Sequence, residues 1–126
     1  MQVKELSKKY DYVAPDKSEI RLPLAMKGGG LCHCTLPANG VSLAVKHKTV
    51  EEIWYFLSGE GEVWQKYANG GEPVKVGPGT CVTIPVGSPF QFRNTGDEPL
   101  CLIISTMLPW PGPDEAERVD DHWNTE

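Results

Sequence analysis

This chain of 126 residues lacks long apolar runs, a surplus of basic residues and an apolar N-terminus. No stretch approaches the ~20 apolar residues that cross a bilayer as a helix. The 12 Lys and Arg are outnumbered by 17 Asp and Glu, which gives a formal net charge of −5. That balance disfavours nucleic acid and anionic membranes as partners. The first ten residues hold no apolar core for a secretory signal, so we expect a cytoplasmic location.

Cysteine is also scarce, and its four positions do not suggest a framework of disulfides. Cys32-His33-Cys34 has one residue between its cysteines and no second pair, unlike a zinc finger. On a strand the two cysteines would share a face and His33 would point the opposite way. We therefore interpret all four as reduced thiols, and Cys32 and Cys34 as small buried hydrophobes.

A helical repeat is missing too, while Gly (13) and Pro (11) are frequent and spread along the chain. Apolar and polar residues alternate in short stretches between turn residues, as is typical of β-strands. Nine or ten strands are predicted, including 19–26, 31–36, 41–46, 52–57, 62–67, 74–76, 80–84, 90–93 and 100–107. Pro23 indicates an edge or a bulge in the first of these. The spacing predicts an all-β sandwich or barrel.

Both ends of the chain differ in composition from the middle. Residues 1–19 are polar and predict an extended N-terminal arm, which lies across the body, exchanges with a partner or is a partly ordered terminus. Residues 108–126 form a tail rich in Pro and Trp, in which 114–118 is compatible with one helical turn. Trp110 and Trp123 predict that this tail packs on the barrel or on a neighbouring chain, sealing an open end or an edge.

Two motifs occur in order between residues 31 and 106. In the first, four residues separate His47 from Glu52, and six separate Glu52 from Gly59. The second contains Gly79, Pro85, Gly87 and Asn94. In these residues and spacings the chain resembles the cupin family. At two positions where that family commonly has further histidines, this chain has Val45 and Phe90.

The resemblance implies a cupin-type jelly-roll barrel, or double-stranded β-helix, over about residues 20–107 of a single domain spanning 1–126. It also implies a homodimer that pairs through its sheets. Metal-bearing cupins use three His and one Glu, of which His47 and Glu52 are present here. Because protein metal sites normally use at least three ligands, we expect no metal or other cofactor. A divalent transition metal held by His47 and Glu52 is the alternative.

The resemblance also places His47 and Glu52 on the inward face at the open end of the barrel. His47 would act there as a catalytic general base oriented by Glu52, or the two would bind a polar group of a ligand. A purely structural His–Glu hydrogen bond is one alternative, and a site completed by an inward-facing cysteine is another. With strand alternation, the predicted pocket lining is Val45, His47, Glu52, Trp54, Phe56, Phe90 and Phe92.

The aromatic side chains do not determine whether the barrel is hollow or filled. Inward rings either form a box for a flat or apolar ligand or fill the barrel completely. Outward residues are expected to pack between sheets or at a dimer face; they are Tyr55, Trp64, Gln91 and Arg93.

Three hypotheses about function follow. The first is a protein that binds a small, partly apolar molecule without strong dependence on metal. The second is an enzyme, either an isomerase or lyase using His47 and Glu52 or a metal-dependent dioxygenase. The third is a dimeric interaction module with a filled barrel.

Overall fold

The computed structural model describes residues 1–125 and contains eleven strands. They are β1 (Tyr12–Val13), β2 (Glu19–Met26), β3 (Gly29–Leu36), β4 (Val45–His47), β5 (Glu51–Ser58), β6 (Gly61–Gln65), β7 (Val74–Val76), β8 (Cys81–Ile84), β9 (Phe90–Asn94), β10 (Leu100–Met107) and β11 (Ala116–Arg118). Two 3-10 turns are present, Asn69–Gly71 and Pro113–Glu115. Neither turn has the length and apolarity that a membrane-crossing helix requires, and this range contains no other helix.

The strands form two antiparallel sheets, which confirms the predicted all-β jelly roll. One sheet has six strands in the order β1-β2-β3-β10-β5-β8, and the other has five in the order β11-β4-β9-β6-β7. Each sheet also pairs strands that are distant in sequence, as when β10 lies between β3 and β5. This topology places β5 beside β10 and β4 beside β9, so residues far apart in sequence meet at one end of the barrel.

Alternation along β5 shows how the sequence builds the core. Trp54 and Phe56 are 1% and 0% exposed, whereas the intervening Tyr55 is 48% exposed. The inward rings of β5 meet those of β9, and Trp54 contacts Phe92 edge to face with centroids 4.9 Å apart. Burying these rings removes a large apolar area from water and holds the two sheets together.

Several predicted strands agree closely with the structure, and one does not. The bounds of β2, β7 and β10 are those predicted. Pro23 lies where the β2–β3 register shifts, between Arg21 and Leu24, as expected for a bulge. The predicted strand 41–46 is wrong in its first half, because Val41 makes only an isolated bridge with Arg93.

The glycine that ends the first motif has a steric role. Gly59 has φ +84°, and a Cβ there would lie 2.5 Å from the Pro99 carbonyl oxygen. Both the backbone conformation and the close approach exclude a side chain. Gly59 therefore allows the turn between β5 and β6 to pack against the start of β10.

The tail packs on the five-stranded sheet through β11, which pairs with β4. Glu115 is buried, and its carboxylate accepts hydrogen bonds from the Thr49 backbone (2.7 Å), the Thr49 hydroxyl (2.6 Å) and the Val50 backbone (2.9 Å). The sequence suggested a helical turn over 114–118. The structure places a 3-10 turn only at Pro113–Glu115, because the following residues pair with β4.

The predicted outward residues divide between the two sheets. Tyr55 is exposed on the six-stranded sheet. On the other sheet, the Gln91 side chain accepts hydrogen bonds from the His122 and Trp123 backbones, and Arg93 lies 4.5 Å from the centre of the Trp123 ring. Trp64 stacks on His122 in the same cluster, with ring centroids 4.9 Å apart. These residues hold the end of the tail.

Candidate functional site

The site begins where β5 and β10 run side by side. Glu52 is directly opposite Thr106 in the register of these strands, and Trp54 is opposite Ile104. Alternation points all four side chains into the barrel, and Glu52 is 5% exposed. A carboxyl group and a hydroxyl group are thereby brought together at one end of the barrel.

The second side of the site comes from β4 and β9. Val45 is paired with Phe90, so the two positions that lack the expected histidines are direct neighbours. His47, 4% exposed, contacts Phe90 edge to face at 5.1 Å between centroids. Its ring also makes an edge contact with Trp110 of the tail at 5.2 Å. His47 therefore lies between the barrel wall and the tail.

These residues line a cavity of about 210 Å³. Its walls include the N-terminal arm, with Tyr12 and Asp16, and the tail, with Trp110. Five residues predicted to line the pocket do so, namely Val45, His47, Glu52, Trp54 and Phe90. Phe56 and Phe92 do not; they are fully buried in the core. Alternation gives the face of a strand but not the depth at which the barrel closes.

Glu52 and His47 are close but do not form a hydrogen bond. The His47 Nδ1 atom lies 4.0 Å from Glu52 Oε1. That oxygen instead accepts a hydrogen bond from the Trp54 indole N–H at 2.9 Å. The expected arrangement, in which Glu52 orients His47 through a hydrogen bond, is therefore not the one in the structure.

Burial changes the titration of both groups. It raises the pKa of Glu52 from 4.5 to about 7, although the Trp54 hydrogen bond acts in the opposite direction. Burial lowers the pKa of His47 from 6.5 to about 4, against the opposing influence of the Glu115 carboxylate. At neutral pH the imidazole is uncharged and the carboxyl group is close to half-ionised, so the pair is not a salt bridge.

Two polar atoms of the cavity lining have no hydrogen-bond partner within residues 1–125. They are His47 Nδ1 and Thr106 Oγ1, which belong to residues 4% and 6% exposed. An unsatisfied buried polar atom is uncommon and costs roughly 1–3 kcal/mol. A molecule that enters the cavity therefore lies beside the two residues that carry these atoms.

The metal-ligating side chains are too few for a firmly held ion. Among the described residues, no three of His, Cys, Asp and Glu come together in a suitable group. Cys32 lines the cavity, but burial, with the nearby Glu52 and Asp16 charges, raises the pKa of its thiol to about 12. A thiol with so high a pKa is a poor metal ligand. The donor set does not fit a divalent metal centre.

The other residues of the Cys-His-Cys segment lie outside the site. Cys34 is completely buried in the core, and His33 points to the opposite face of β3. Sequence reasoning missed Thr106, Tyr12 and Asp16 as lining residues. Thr106 is identified only by the β5–β10 register, and the two arm residues only by how the arm folds back. Trp110, predicted to seal an open end, does line the cavity.

Comparisons with known proteins agree with this architecture. A family model described as a cupin domain matches residues 32–106. The uncharacterized protein MJ1618 of Methanocaldococcus jannaschii is 31% identical over 111 residues, which cover 84% of this chain and 86% of that protein.

Solved structures show the same fold. A Cupin 2 conserved barrel domain protein from Salinispora arenicola superposes with a TM-score of 0.69 at 18% identity, covering 85% of this chain and 88% of that one. A predicted oxalate decarboxylase from Thermotoga maritima has a TM-score of 0.57 at 26% identity, covering 65% and 68% of the two chains. With its two motifs in order on a jelly roll, this chain belongs to the cupin family.

Proposed function

We propose that this cupin binds a small, partly apolar molecule in its barrel cavity and does so without strong dependence on metal. The observation that carries the proposal is the pair of unpartnered buried atoms, His47 Nδ1 and Thr106 Oγ1, in the lining of one cavity. A ligand that hydrogen-bonds to both would remove the cost of leaving them unsatisfied. The apolar walls would bury the rest of the molecule.

The size of the cavity limits the ligand. An engineered cavity of about 150 Å³ in another protein is large enough to bind benzene. At about 210 Å³, this cavity suits a molecule only somewhat larger than one aromatic ring. Its presence also favours a binding function over a completely filled barrel.

Two buried apolar residues support independence from metal. Val45 and Phe90 are 2% and 1% exposed and occupy positions where a metal-bearing relative would have histidines. Val and Phe offer no lone pair to an ion and exclude the water that would complete its coordination. A metal-dependent dioxygenase is therefore the least supported of the enzyme hypotheses.

Acid–base catalysis on the bound molecule is the second candidate. It is favoured by Glu52, whose raised pKa of about 7 suits proton transfer near neutral pH. In an isomerase or lyase, the Glu52 carboxylate would accept a proton from the substrate. The neutral His47 imidazole would hydrogen-bond to the group that gains charge.

We also propose that the protein is a homodimer in the cytoplasm. Leu31, Ile53 and Tyr55 are 40–48% exposed on adjacent rows of the six-stranded sheet, which forms one apolar outer face. A second copy that presents the same face would cover it. All four cysteines are free thiols, in agreement with a reducing compartment.

The test is a thermal-shift screen of small molecules of different charge and polarity, repeated with EDTA. A ligand at about 100 times its Kd should stabilise the fold by about 2.7 kcal/mol. We expect hits whose effect survives EDTA and is lost in Thr106→Val, which removes the hydroxyl but keeps the shape. A matched control, Thr83→Val on the exposed face of β8, should keep the effect.

Each hit is then incubated with the protein and followed by NMR for chemical conversion. Conversion that disappears in Glu52→Gln while binding remains would support the acid–base candidate. A screen without hits, or hits that bind Thr106→Val equally well, would contradict the proposed site. Loss of binding in EDTA would contradict metal independence.

A further inference from the structure

The charged groups around the cavity are all acidic. Glu52 and Asp16 line it, and Glu115 lies close enough to influence both Glu52 and His47. The described lining residues include no Lys and no Arg, and His47 is neutral at physiological pH because burial lowers its pKa to about 4. The ionisable groups of the cavity wall are therefore acidic and have no positive charge beside them. Burial raises the pKa of both Asp16 and Glu52, so a cation beside them would favour their ionised forms.

This balance excludes one class of ligand. A carboxylate or phosphate would have to leave water and enter a space that faces two carboxyl groups without a counter-ion. Burying an unpaired charge costs several kcal/mol, and like charges add to that cost. Anionic ligands are therefore disfavoured on charge alone.

The same walls favour a cation. Four aromatic side chains line the cavity, namely Tyr12, Trp54, Phe90 and Trp110. The negative face of an aromatic ring attracts a cation, and the attraction is greatest where water is excluded. Rings from the arm, from β5, from β9 and from the tail surround the space that the carboxyl groups also face.

We propose that the cavity takes a small organic cation, with an ammonium group beside Glu52 and an apolar remainder against the aromatic walls. This inference rests on the proposed function, because it names the ligand class of the same site. It does not depend on the acidic groups alone. The unpartnered Nδ1 of His47, 4% exposed, is an acceptor or donor for a polar substituent on the same molecule.

Binding of such a cation would change the protonation of Glu52. The groups that face Glu52 are His47 from β4, Asp16 and Tyr12 from the arm, Cys32 from β3 and Glu115 from the tail. None of them is positively charged at neutral pH, so the ligand would be the first cation beside this carboxyl group. It would stabilise the ionised form, and its affinity would rise with pH until Glu52 is fully ionised.

The experiment uses three probes of one shape and three charges, namely choline, 3,3-dimethylbutan-1-ol and 3,3-dimethylbutanoate. Titration calorimetry on the full chain at about pH 8 should show that choline binds about tenfold more tightly than the neutral alcohol. The reason is that the rings and Glu52 together should add about 1.4 kcal/mol of binding free energy for the cation. The carboxylate should not bind. Lowering the pH to about 6 should weaken choline and leave the alcohol unchanged.

Glu52→Gln keeps the shape of the side chain and removes its charge. We expect this variant to lose the part of the preference for choline that Glu52 contributes and to keep the part from the rings, with the affinity for the alcohol within about twofold of the parent. Glu51→Gln is the matched control, because Glu51 is the preceding residue and is exposed on the other face of β5. It should keep the preference for the cation.

If the parent protein binds the alcohol or the carboxylate as tightly as choline, or more tightly, the inference is overturned and the proposed function stays in place. If none of the three probes binds, the hits of the general screen decide. Neutral or anionic hits overturn the inference, whereas cationic hits that weaken in Glu52→Gln support it. A screen with no hits of any charge would overturn the proposed function itself.

Discussion

Trp54 determines the environment of Glu52 at the scale of single residues. Its indole N–H donates a hydrogen bond to Glu52 Oε1. His47 Nδ1 lies 4.0 Å from the same oxygen and makes no hydrogen bond to it. The His and the Glu are thus held near each other without a hydrogen bond between them, while burial disfavours the charged form of each. The sequence suggests a hydrogen-bonded His–Glu pair instead, because it does not reveal which neighbour donates a hydrogen bond to the Glu52 carboxylate.

The shifted pKa values have opposite effects on stability. Folded Glu52 keeps its proton up to about pH 7, whereas the reference carboxyl group loses it near 4.5. Its contribution to stability therefore decreases as pH rises from 4.5 to 7. Folded His47 stays neutral down to about pH 4, whereas the reference imidazole is protonated below 6.5. Its contribution decreases as pH falls from 6.5 to 4, so the two effects partly cancel in the parent protein.

Substitution should separate these two effects. Relative to the parent, Glu52→Gln should gain roughly 3 kcal/mol of unfolding free energy as pH rises from 4.5 to 7, since a pKa difference of one is about 1.4 kcal/mol. His47→Leu should gain a similar amount as pH falls from 6.5 to 4. Urea unfolding at a series of pH values measures both.

Glu51→Gln serves again as the control, because it makes the same chemical change on the exposed face of β5. Difference curves that are flat for both site variants would show that the two side chains titrate in the folded protein as they do in water. Such a result would contradict the burial of the pair.

At the scale of elements, one buried carboxylate helps to hold the tail. Glu115 accepts two backbone N–H groups and one hydroxyl group from the Thr49–Val50 turn. Although burial would raise its pKa, these hydrogen bonds, with the nearby His47, lower it, so the group is ionised at neutral pH. The carboxylate therefore connects the tail to the loop that joins β4 and β5.

We expect Glu115→Ala to lower the free energy of unfolding by about 2–4 kcal/mol, because hydrogen bonds to a charged group are lost and Val50 N–H is left buried. Glu117→Ala is the control. It removes an exposed carboxylate that pairs with Lys46 at 3.2 Å, and it should cost less than about 1 kcal/mol. Equal effects in urea unfolding would contradict the role given to Glu115.

The elements that the sequence predicted well are those defined by local pattern. The β2, β7 and β10 strands have clear alternation and turn residues at their ends, and their bounds were predictable. The β11 strand was not, because Ala116–Arg118 becomes a strand only by pairing with β4. Val41 shows the reverse case, where a local alternating pattern did not produce a strand.

The candidate site shows the same division. The motif spacing identified His47 and Glu52, and alternation added Trp54 and Phe90. The position of Thr106 depends on the register between strands that are about fifty residues apart in sequence. Tyr12 and Asp16 depend on the path of the arm, for which the sequence carries no periodic signal.

At the scale of the whole molecule, the outer face of the six-stranded sheet is the surface that most needs a partner. Tyr55 lies opposite Ile103 at its centre, with Ile53 and Leu31 in the next row. A monomer would leave these apolar side chains in water. Covering them by a second copy is the arrangement that we propose.

Sedimentation equilibrium should show a dimer for the parent protein and at least a tenfold weaker dimer for Tyr55→Glu, because the substitution would bury two carboxylates in a symmetric interface. Tyr67→Glu is the control, since Tyr67 is 74% exposed in the loop after β6. A parent protein that is monomeric at about 100 μM would contradict the proposed dimer, given the affinities of stable interfaces. So would an unchanged Tyr55→Glu dimer.

The two covers of the cavity are fastened unequally. On one side, three residue pairs of β11 and the buried or half-buried bonds of Glu115 hold the tail. On the other, two residue pairs of β1 and exposed hydrogen bonds from Arg21 and the Leu22 backbone hold the arm. Local opening follows the weakest set of bonds. The arm should therefore open more readily than the tail. We expect a ligand to enter and leave beneath Tyr12 while Trp110 stays in place.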